Sequence, residues 1–308
     1  MGWRILSLTK PCKISVRQSQ LFYEPADGES HAFPIEDISV IVLDTGFVQL
    51  SGTLLAQLAS SNAAVFSCDE THMPNGIFMP FAEHSRMTEI ANAQAAASEP
   101  LKKRLWQMIV RRKIMNQASV LRICGRDNAE LLCNLAERVQ SGDSENIEAY
   151  AAGVYWRALF DGEFQREKNY AKNPSIRNSA LNYGYAVMRG AVARSIAAAG
   201  FVPCFGIHHC SELNSFNLAD DLIEPFRAYA DFAAATTDFA NMETLTPELK
   251  NKLISALLYE TEICGESMQI LKACTVAAES LAKCLKTKSC EFLKLPEMKN
   301  VPKITNMK

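Results

Sequence analysis

His72-Met73-Pro74-Asn75-Gly76-Ile77-Phe78-Met79-Pro80 is the stretch at which this chain changes character. Two prolines with Asn75 and Gly76 interrupt any regular element, and the hydrophobic pattern differs on the two sides. Upstream, residues 3–8, 13–16, 20–23 and 38–43 are short runs rich in β-branched, aromatic or aliphatic side chains, which fit a pleated, half-buried surface. Pro25-Ala26-Asp27-Gly28 is a turn signal between two of these runs, and residues 46–50 and 64–68 read as further strands. Ser51 reads as the N-cap of one helix, with Leu54, Leu55 and Leu58 at helical spacing. The expectation is a small, mostly antiparallel sheet or sandwich with one short helix.

Downstream, from about Glu83, apolar residues recur at helical spacing to the end. Pro100 opens a long segment with Leu101, Leu105, Met108 and Ile109 on one stripe. Asp127 with Glu130 has the spacing of a capping box ahead of Leu131, Leu135 and Val139. Asp143 or Ser144 starts a helix carrying Glu148, Ala152, Tyr155 and Leu159, and Thr246-Pro247-Glu248 starts another. Lysines crowd the tail after Leu281, from Lys283 to Lys308, which reads as a frayed basic end. There is no internal repeat. The predicted fold is therefore α+β. A small, sandwich-like N-terminal β domain (1–70) leads through a connector (71–83) to a larger all-α domain (84–308).

Composition narrows the function classes. A chain of 308 residues that is 48% hydrophobic can bury one large core or two domains. Lys plus Arg number 32 against 34 Asp plus Glu, so nucleic-acid binding would require the basic residues to gather on one face. Ten cysteines include no CxxC pair, which removes the usual zinc and redox spacings and leaves buried free thiols as the reading. The start lacks the layout of a signal peptide, and no apolar run is long enough to span a bilayer. A reducing bacterial cytoplasm with no membrane association is expected. Neither GxxxxGK nor GxGxxG occurs, so no nucleotide cofactor is expected.

Three segments place polar groups where helical patterning favours apolar ones. Glu148 lies on a stripe with Ala152 and Tyr155; the alternative is an exposed carboxylate in a first helical turn, where the dipole favours it. His208 and His209, two of five histidines, sit together after the Gly200 to Pro203 stretch and could ligate metal, move protons or pack. Asp221 and Glu224 share one helical face, and such a pair repels unless a cation or proton lies between them. One histidine with two or three carboxylates is an N/O donor set for Mg²⁺ or Mn²⁺. The alternative is ion pairing, Glu224 with Arg227 included.

A more specific pattern runs through these segments. Gly206-x-x-His209 is followed by Asn214-x-Phe216-Asn217-Leu218-x-x-Asp221-Leu222-x-Glu224-Pro225-Phe226-Arg227. Glu148-Ala149 precedes Tyr155-Trp156-x-x-Leu159-Phe160, and Asn178-x-x-Leu181-Asn182-Tyr183-Gly184-Tyr185 stands between the two. These motifs resemble the CRISPR-associated Cas-one family. Gly2-Trp3-Arg4 and Lys113-Ile114-x-Asn116-Gln117 resemble its type II members, which accompany Cas-nine. The resemblance covers nearly the whole chain, with the motifs in family order.

The resemblance implies a metal-dependent DNA endonuclease and integrase that joins the 3′ ends of spacer DNA to a CRISPR repeat by transesterification. It carries the metal-binding and catalytic roles onto Glu148, His209 and Glu224, GxxH spacing selecting His209 over His208. Many relatives outside type II have aspartate at the position of Glu224. Asp221, His208 and Asn182 are auxiliary candidates. Implied partners are double-stranded DNA, a second copy of the chain docked through the β domain, a Cas-two dimer, and Cas-nine with other adaptation proteins. Lys102, Arg104, Arg111, Arg112, Arg166, Arg177 and Arg189, with Lys168, Lys172 and Arg194 nearby, are candidates for holding DNA phosphates. Two other classes remain: a metal-dependent nuclease acting on branched repair intermediates, which would use the same residues, and a noncatalytic DNA-binding scaffold, which would use a basic ridge formed by Lys102-Lys103-Arg104 and Arg111-Arg112-Lys113 and leave the carboxylates as salt bridges.

Overall fold

A computed structural model of the chain describes residues 4–61, 63–78, 87–160, 164–167 and 174–304. Expectations placed on Gly2, Trp3, the end of the 71–83 connector, Lys168, Lys172 and Lys308 lie outside the described residues. The chain divides into two compact units, residues 1–83 with 306–308 and residues 84–305.

Among its described residues, the first unit holds two sheets. Strands β1 (Arg4–Leu8), β2 (Cys12–Arg17), β3 (Gln20–Pro25), β4 (His31–Pro34), β5 (Ile38–Leu43) and β6 (Val48–Leu50) precede helix α1 (Gly52–Ser60), β7 (Ala64–Cys68) and β8 (Pro74–Phe78). One sheet has the order β1-β5-β7-β8 and the other β4-β3-β2-β6. The expectation of mostly antiparallel pairing does not hold: β1 with β5, β5 with β7 and β2 with β6 are parallel. Two features explain this. The first five residues of β5 are all buried, as in a strand covered on both faces. A helix lies between β5 and β7, and such a crossover returns the chain in the same direction. The Ser51 hydroxyl caps α1 by accepting from the Leu54 amide at 3.2 Å. Leu54 and Leu58 join Ile14, Leu21, Ile38, Ile41 and Val65 in one core.

Part of the expected connector is structured. Residues 74–78 form β8, antiparallel to β7, with Pro74 as the first residue of an edge strand, where no ladder donor is needed.

The second unit is mostly helical. Its helices are α2 (Met87–Ala95), α3 (Glu99–Ile123), α4 (Ala129–Arg138), α5 (Ile147–Leu159), α6 (Ile176–Ala198), α7 (Asn217–Leu222), α8 (Arg227–Ala235), α9 (Pro247–Ser255) and α10 (Ile270–Thr287). It also contains a hairpin, β9 (Glu260–Ile263) with β10 (Glu266–Gln269), inside the stretch expected to be all helix. Cys264 and Gly265, at φ 52° and 83°, make the two-residue turn that joins these strands. Helix α6 is buried on nearly every side, and Gly184 lets α8 approach, since a Cβ there would stand 3.0 Å from Ala230 Cβ.

Caps explain the helix starts. Thr246 accepts from the Leu249 amide, as the sequence predicts. The Asp127–Glu130 capping box does not form; α4 starts from Asn128 in the left-handed region. Helix α5 starts at Ile147, and the Asp143 carboxylate accepts from the Ile147 and Glu148 amides at 2.9 and 3.0 Å. The basic tail is not frayed over its described length. Leu293, Leu295 and Met298 are buried, and Glu297 bridges to Glu262 of β9. The lysine-rich composition masked this apolar spacing. The ten cysteines are free thiols, yet only Cys12, Cys274 and Cys284 are buried, while Cys204, Cys210 and Cys264 are exposed. No helix among the described residues is long and apolar enough to cross a membrane.

Candidate metal centre

The loop between α6 and α7 carries the histidine pair, and one buried carboxylate organises it. Asp221 is fully buried on α7, and its two oxygens accept from the backbone amides of Ile207, His208 and His209 at 2.5, 3.0 and 3.0 Å. Its Oδ1 also meets His209 Nδ1 at 2.7 Å. That contact raises the His209 pKa above its ordinary value, against the opposing effect of burial, and the Glu224 charge adds to the rise. With Nδ1 committed, Nε2 is the ring nitrogen left for another ligand. Gly206 makes the turn possible: a Cβ there would sit 2.2 Å from the His209 carbonyl oxygen and 2.8 Å from Asp221 Oδ2.

The two histidines have different neighbours. The His208 ring stacks on buried Trp106 of α3, with centroids 4.2 Å apart and planes 1° from parallel. The His209 ring lies edge-on to the same tryptophan at 5.9 Å. A lone imidazole stacked this way is a packing group; the imidazole held by a buried carboxylate is oriented for ligation.

Glu148, in the first turn of α5, and Glu224, in the 3₁₀ turn between α7 and α8, meet over α3. Lys113 Nζ lies 2.5 Å from Glu148 Oε1 and 2.6 Å from Glu224 Oε2, so the two carboxylate oxygens are at most 5.1 Å apart. Arg227 Nε takes Glu224 Oε1 at 2.9 Å, so the Glu224–Arg227 pair read from the sequence does form. Burial works to raise the Glu224 pKa, but Arg227, Lys113 and His209 outweigh it and hold the carboxyl down at about 2. Burial likewise works against the Lys113 charge, and Glu224 and Glu148 reverse that effect, so its pKa ends above the ordinary lysine value. Asn116, one turn along α3 from Lys113, donates to the carbonyls of Pro225 and Pro296 at 2.8 and 2.9 Å and accepts from the Met298 amide. The Glu224 turn is thereby pinned to the helix that carries the ammonium.

The donor set suits a divalent cation. Two carboxylates already share one positive charge, and a carboxylate-oriented imidazole stands on the adjoining loop. Hard cations bind oxygen at about 2.0–2.6 Å, which needs only a modest approach of the two oxygens. Among the described residues, no three His, Cys, Asp or Glu side chains close into a metal cluster by themselves. The ammonium is the cation that bridges the pair.

The remaining candidates have other partners. Arg166 donates to the side-chain oxygens of Asn178 and Asn182 at 2.9 and 2.7 Å, so Asn182 joins that network rather than the triad. Arg189 grips Asp220 through Nε and Nη2 at 2.5 and 2.9 Å and bonds Asn214, bracing the loop before α7. Arg112 pairs with Glu297, Lys102 with Glu99, and Arg111 donates to the Ala136 carbonyl. Arg104 is exposed, while Arg177, also exposed, lies over the rings of Phe160 and Phe239. Arg194 is buried in α6. Of the basic residues of α3, Lys102, Arg111 and Arg112 thus have intramolecular partners, while Lys103 and Arg104 are exposed. Lys113 and Trp106 carry the geometry without having been singled out as site residues. In the sequence Lys113 stands in one of the resemblance motifs, three residues before Asn116, and in the basic run Arg111-Arg112-Lys113.

Beneath the centre, the Asp231 carboxylate of α8 is fully buried and accepts from the hydroxyls of Tyr155 on α5 and Tyr185 on α6. Burial raises its pKa to about 6, although both tyrosines work the other way.

Residues 6–248 match the protein-family description "CRISPR associated protein Cas1". The chain is 42% identical over 301 residues, 97% of each chain, to the CRISPR-associated endonuclease Cas1 of Neisseria meningitidis serogroup C (strain 8013). Among solved structures, a casposase bound to integration product superposes with a TM-score of 0.76 at 18% identity, covering 94% of this chain and 92% of that one. A Cas6-RT-Cas1–Cas2 complex superposes with a TM-score of 0.70 at 16% identity, covering 96% of this chain and 36% of that one.

Proposed function

The chain belongs to the CRISPR-associated Cas1 family, and on that premise we propose that it is a metal-dependent integrase of the type II branch, joining spacer DNA to a CRISPR repeat. The observation that carries the proposal is the pair of carboxylates from different helices, Glu148 and Glu224, converging on one positive charge beside a histidine fixed by a buried aspartate.

In this reading Glu148, His209 and Glu224 hold Mg²⁺ or Mn²⁺. A divalent cation supplies charge neutralisation at a phosphodiester, acidifies a 3′-hydroxyl and steadies the departing 3′-oxygen. The protein's own groups do the rest. Asp221 keeps His209 Nδ1 occupied and its ring aimed. Arg227 and Asn116 fix the turn that presents Glu224, so the carboxylate is preorganised before DNA arrives. The incoming 3′-hydroxyl attacks phosphorus, and one phosphodiester is exchanged for another. The exchange is close to isoenergetic and needs no nucleotide.

DNA is held through its phosphates. Arg104 and Arg177 are the exposed candidates, with Lys102 and Arg111 contributing where their present contacts allow. Arg112, Arg166 and Arg189 serve mainly to brace the fold. The N-terminal unit pairs two copies of the chain, and two such dimers flank a Cas2 dimer so that one DNA fragment reaches two sites. This assembly follows the family and the Cas1–Cas2 content of the second solved relative.

The test is strand transfer of a duplex with free 3′-hydroxyls into a plasmid carrying a repeat array, with Cas2 and Mn²⁺ or Mg²⁺. Joined product should form with the wild type and vanish with His209→Ala, Glu224→Ala or chelator. Metal-dependent cutting of branched DNA without joining would favour a repair nuclease. DNA binding with neither reaction would favour a scaffold.

A further inference from the structure

We propose that Lys113 is a built-in counter-cation of the carboxylate pair: in the metal-free protein its ammonium holds Glu148 and Glu224 together, and a divalent cation must displace it to bind. The inference rests on the reading of Glu148, His209 and Glu224 as metal ligands, and it concerns how readily that site loads.

The geometry carries it. Lys113 Nζ meets one oxygen of each glutamate at 2.5 and 2.6 Å, with the lysine side chain 13% exposed and that of Glu224 7% exposed. Two carboxylates this close, Glu224 buried and Glu148 24% exposed, repel unless a positive charge lies between them. Arg227 occupies the other Glu224 oxygen and is itself packed over the Tyr185 ring at 4.6 Å, so it cannot serve Glu148 as well.

Charge balance then forces a choice. Two glutamates against Lys113 and Arg227 make a neutral group. A divalent cation added with the ammonium still in place would set two more positive charges against the same pair of carboxylates. The ammonium grips one oxygen of each carboxylate, and a cation bridging the pair would compete with it for them. Arg227 has a planar head locked by stacking, whereas Lys113 ends in a compact charge on a flexible stem, so Lys113 is the group that yields. Its helix does not need to move, since Asn116 keeps α3 tied to the carbonyls of Pro225 and Pro296 while the side chain swings. The consequence is a site that stays formed without metal and binds it more weakly than its ligand set would otherwise allow.

The experiment is calorimetric titration of the full chain with Mn²⁺ alone, for wild type, Lys113→Met, Lys113→Gln, Lys113→Arg and the three ligand-to-alanine variants. Melting temperatures with and without Mn²⁺ are recorded alongside. Lys113→Met and Lys113→Gln should bind Mn²⁺ about tenfold more tightly, equivalent to about 1.4 kcal/mol. They should melt lower than wild type without metal and recover when it is added. Lys113→Arg should retain the weak binding. Unchanged or weaker Mn²⁺ binding by both neutral variants would overturn the inference, as would their failure to fold even with Mn²⁺ present. If Glu148→Ala, His209→Ala and Glu224→Ala all bind Mn²⁺ as wild type does, the metal-site reading itself falls. If those three lose binding while the neutral variants match wild type, only the role of Lys113 is lost.

Discussion

Asp221→Asn tests whether one buried carboxylate builds the histidine loop. Each oxygen of Asp221 accepts two hydrogen bonds: Oδ2 from the Ile207 and His208 amides, Oδ1 from the His209 amide and ring. The substitution preserves shape but turns one acceptor into a donor, so two N–H groups lose their partner whichever way the amide faces. An orphaned buried donor costs about 1–3 kcal/mol, and the loop can recover part of that by opening to water, leaving a loss of about 2–4 kcal/mol. Urea unfolding should show a lower midpoint with little change in slope. Amide exchange at residues 207–209 should accelerate. In an NMR titration the His209 ring should fall back toward the ordinary imidazole range, because the main cause of its raised pKa is gone. An unmoved urea midpoint together with an unmoved His209 titration would refute this account of the loop.

Gly206→Ala should cost about 1–3 kcal/mol and disorder the same loop, since the added methyl collides with the His209 carbonyl; a crystal structure with the loop unchanged would contradict this. His208→Ala should lose a stacking contact worth about 0.5–1.5 kcal/mol by thermal melting yet keep most strand transfer, whereas His209→Ala should abolish it. The buried Asp231 carboxyl, raised to about 6, prefers its proton in the folded protein, so its stabilising contribution is complete below its ordinary unfolded pKa and is lost as pH rises through 6. Denaturation stability should therefore increase by about 2 kcal/mol from pH 7 to pH 4.5 in wild type relative to Asp231→Asn, and parallel pH profiles for the two proteins would rule this out.

What could be read from the sequence was local in origin. Ser51 and Thr246 cap helices with their own side chains, and the apolar stripe of Leu101, Leu105 and Ile109 has the helical period. The change from a strand-like to a helical pattern is also legible, although residues 74–78, read as part of a connector, pair as β8. These properties depend on residues a few positions apart, so they survive in a string of letters. The motif order of Glu148, His209 and Glu224 was legible too, through resemblance to a family rather than through physics.

Partnership was decided by the tertiary structure. Period-two patterning announces a strand but not its neighbour, so the parallel pairing of β5 with β7, joined through α1, and of β1 with β5 emerged only in the folded chain. Leu293, Leu295 and Met298 looked like spacers in a basic tail until the hairpin strand β9 gave Glu297 a backbone partner and the interior gave them a place to be buried. The partners of the basic residues along α3 were likewise invisible: Glu297 pairs with Arg112, and the Ala136 carbonyl accepts from Arg111. Lys113 shows the division most sharply. In the sequence it is one lysine among many on a helix, with its two glutamates far along the chain. Only when α3, α5 and the turn before α8 pack does its ammonium become the charge that lets two carboxylates share one partly buried site, because electrostatic energy depends on distance and solvent access rather than on position in the chain.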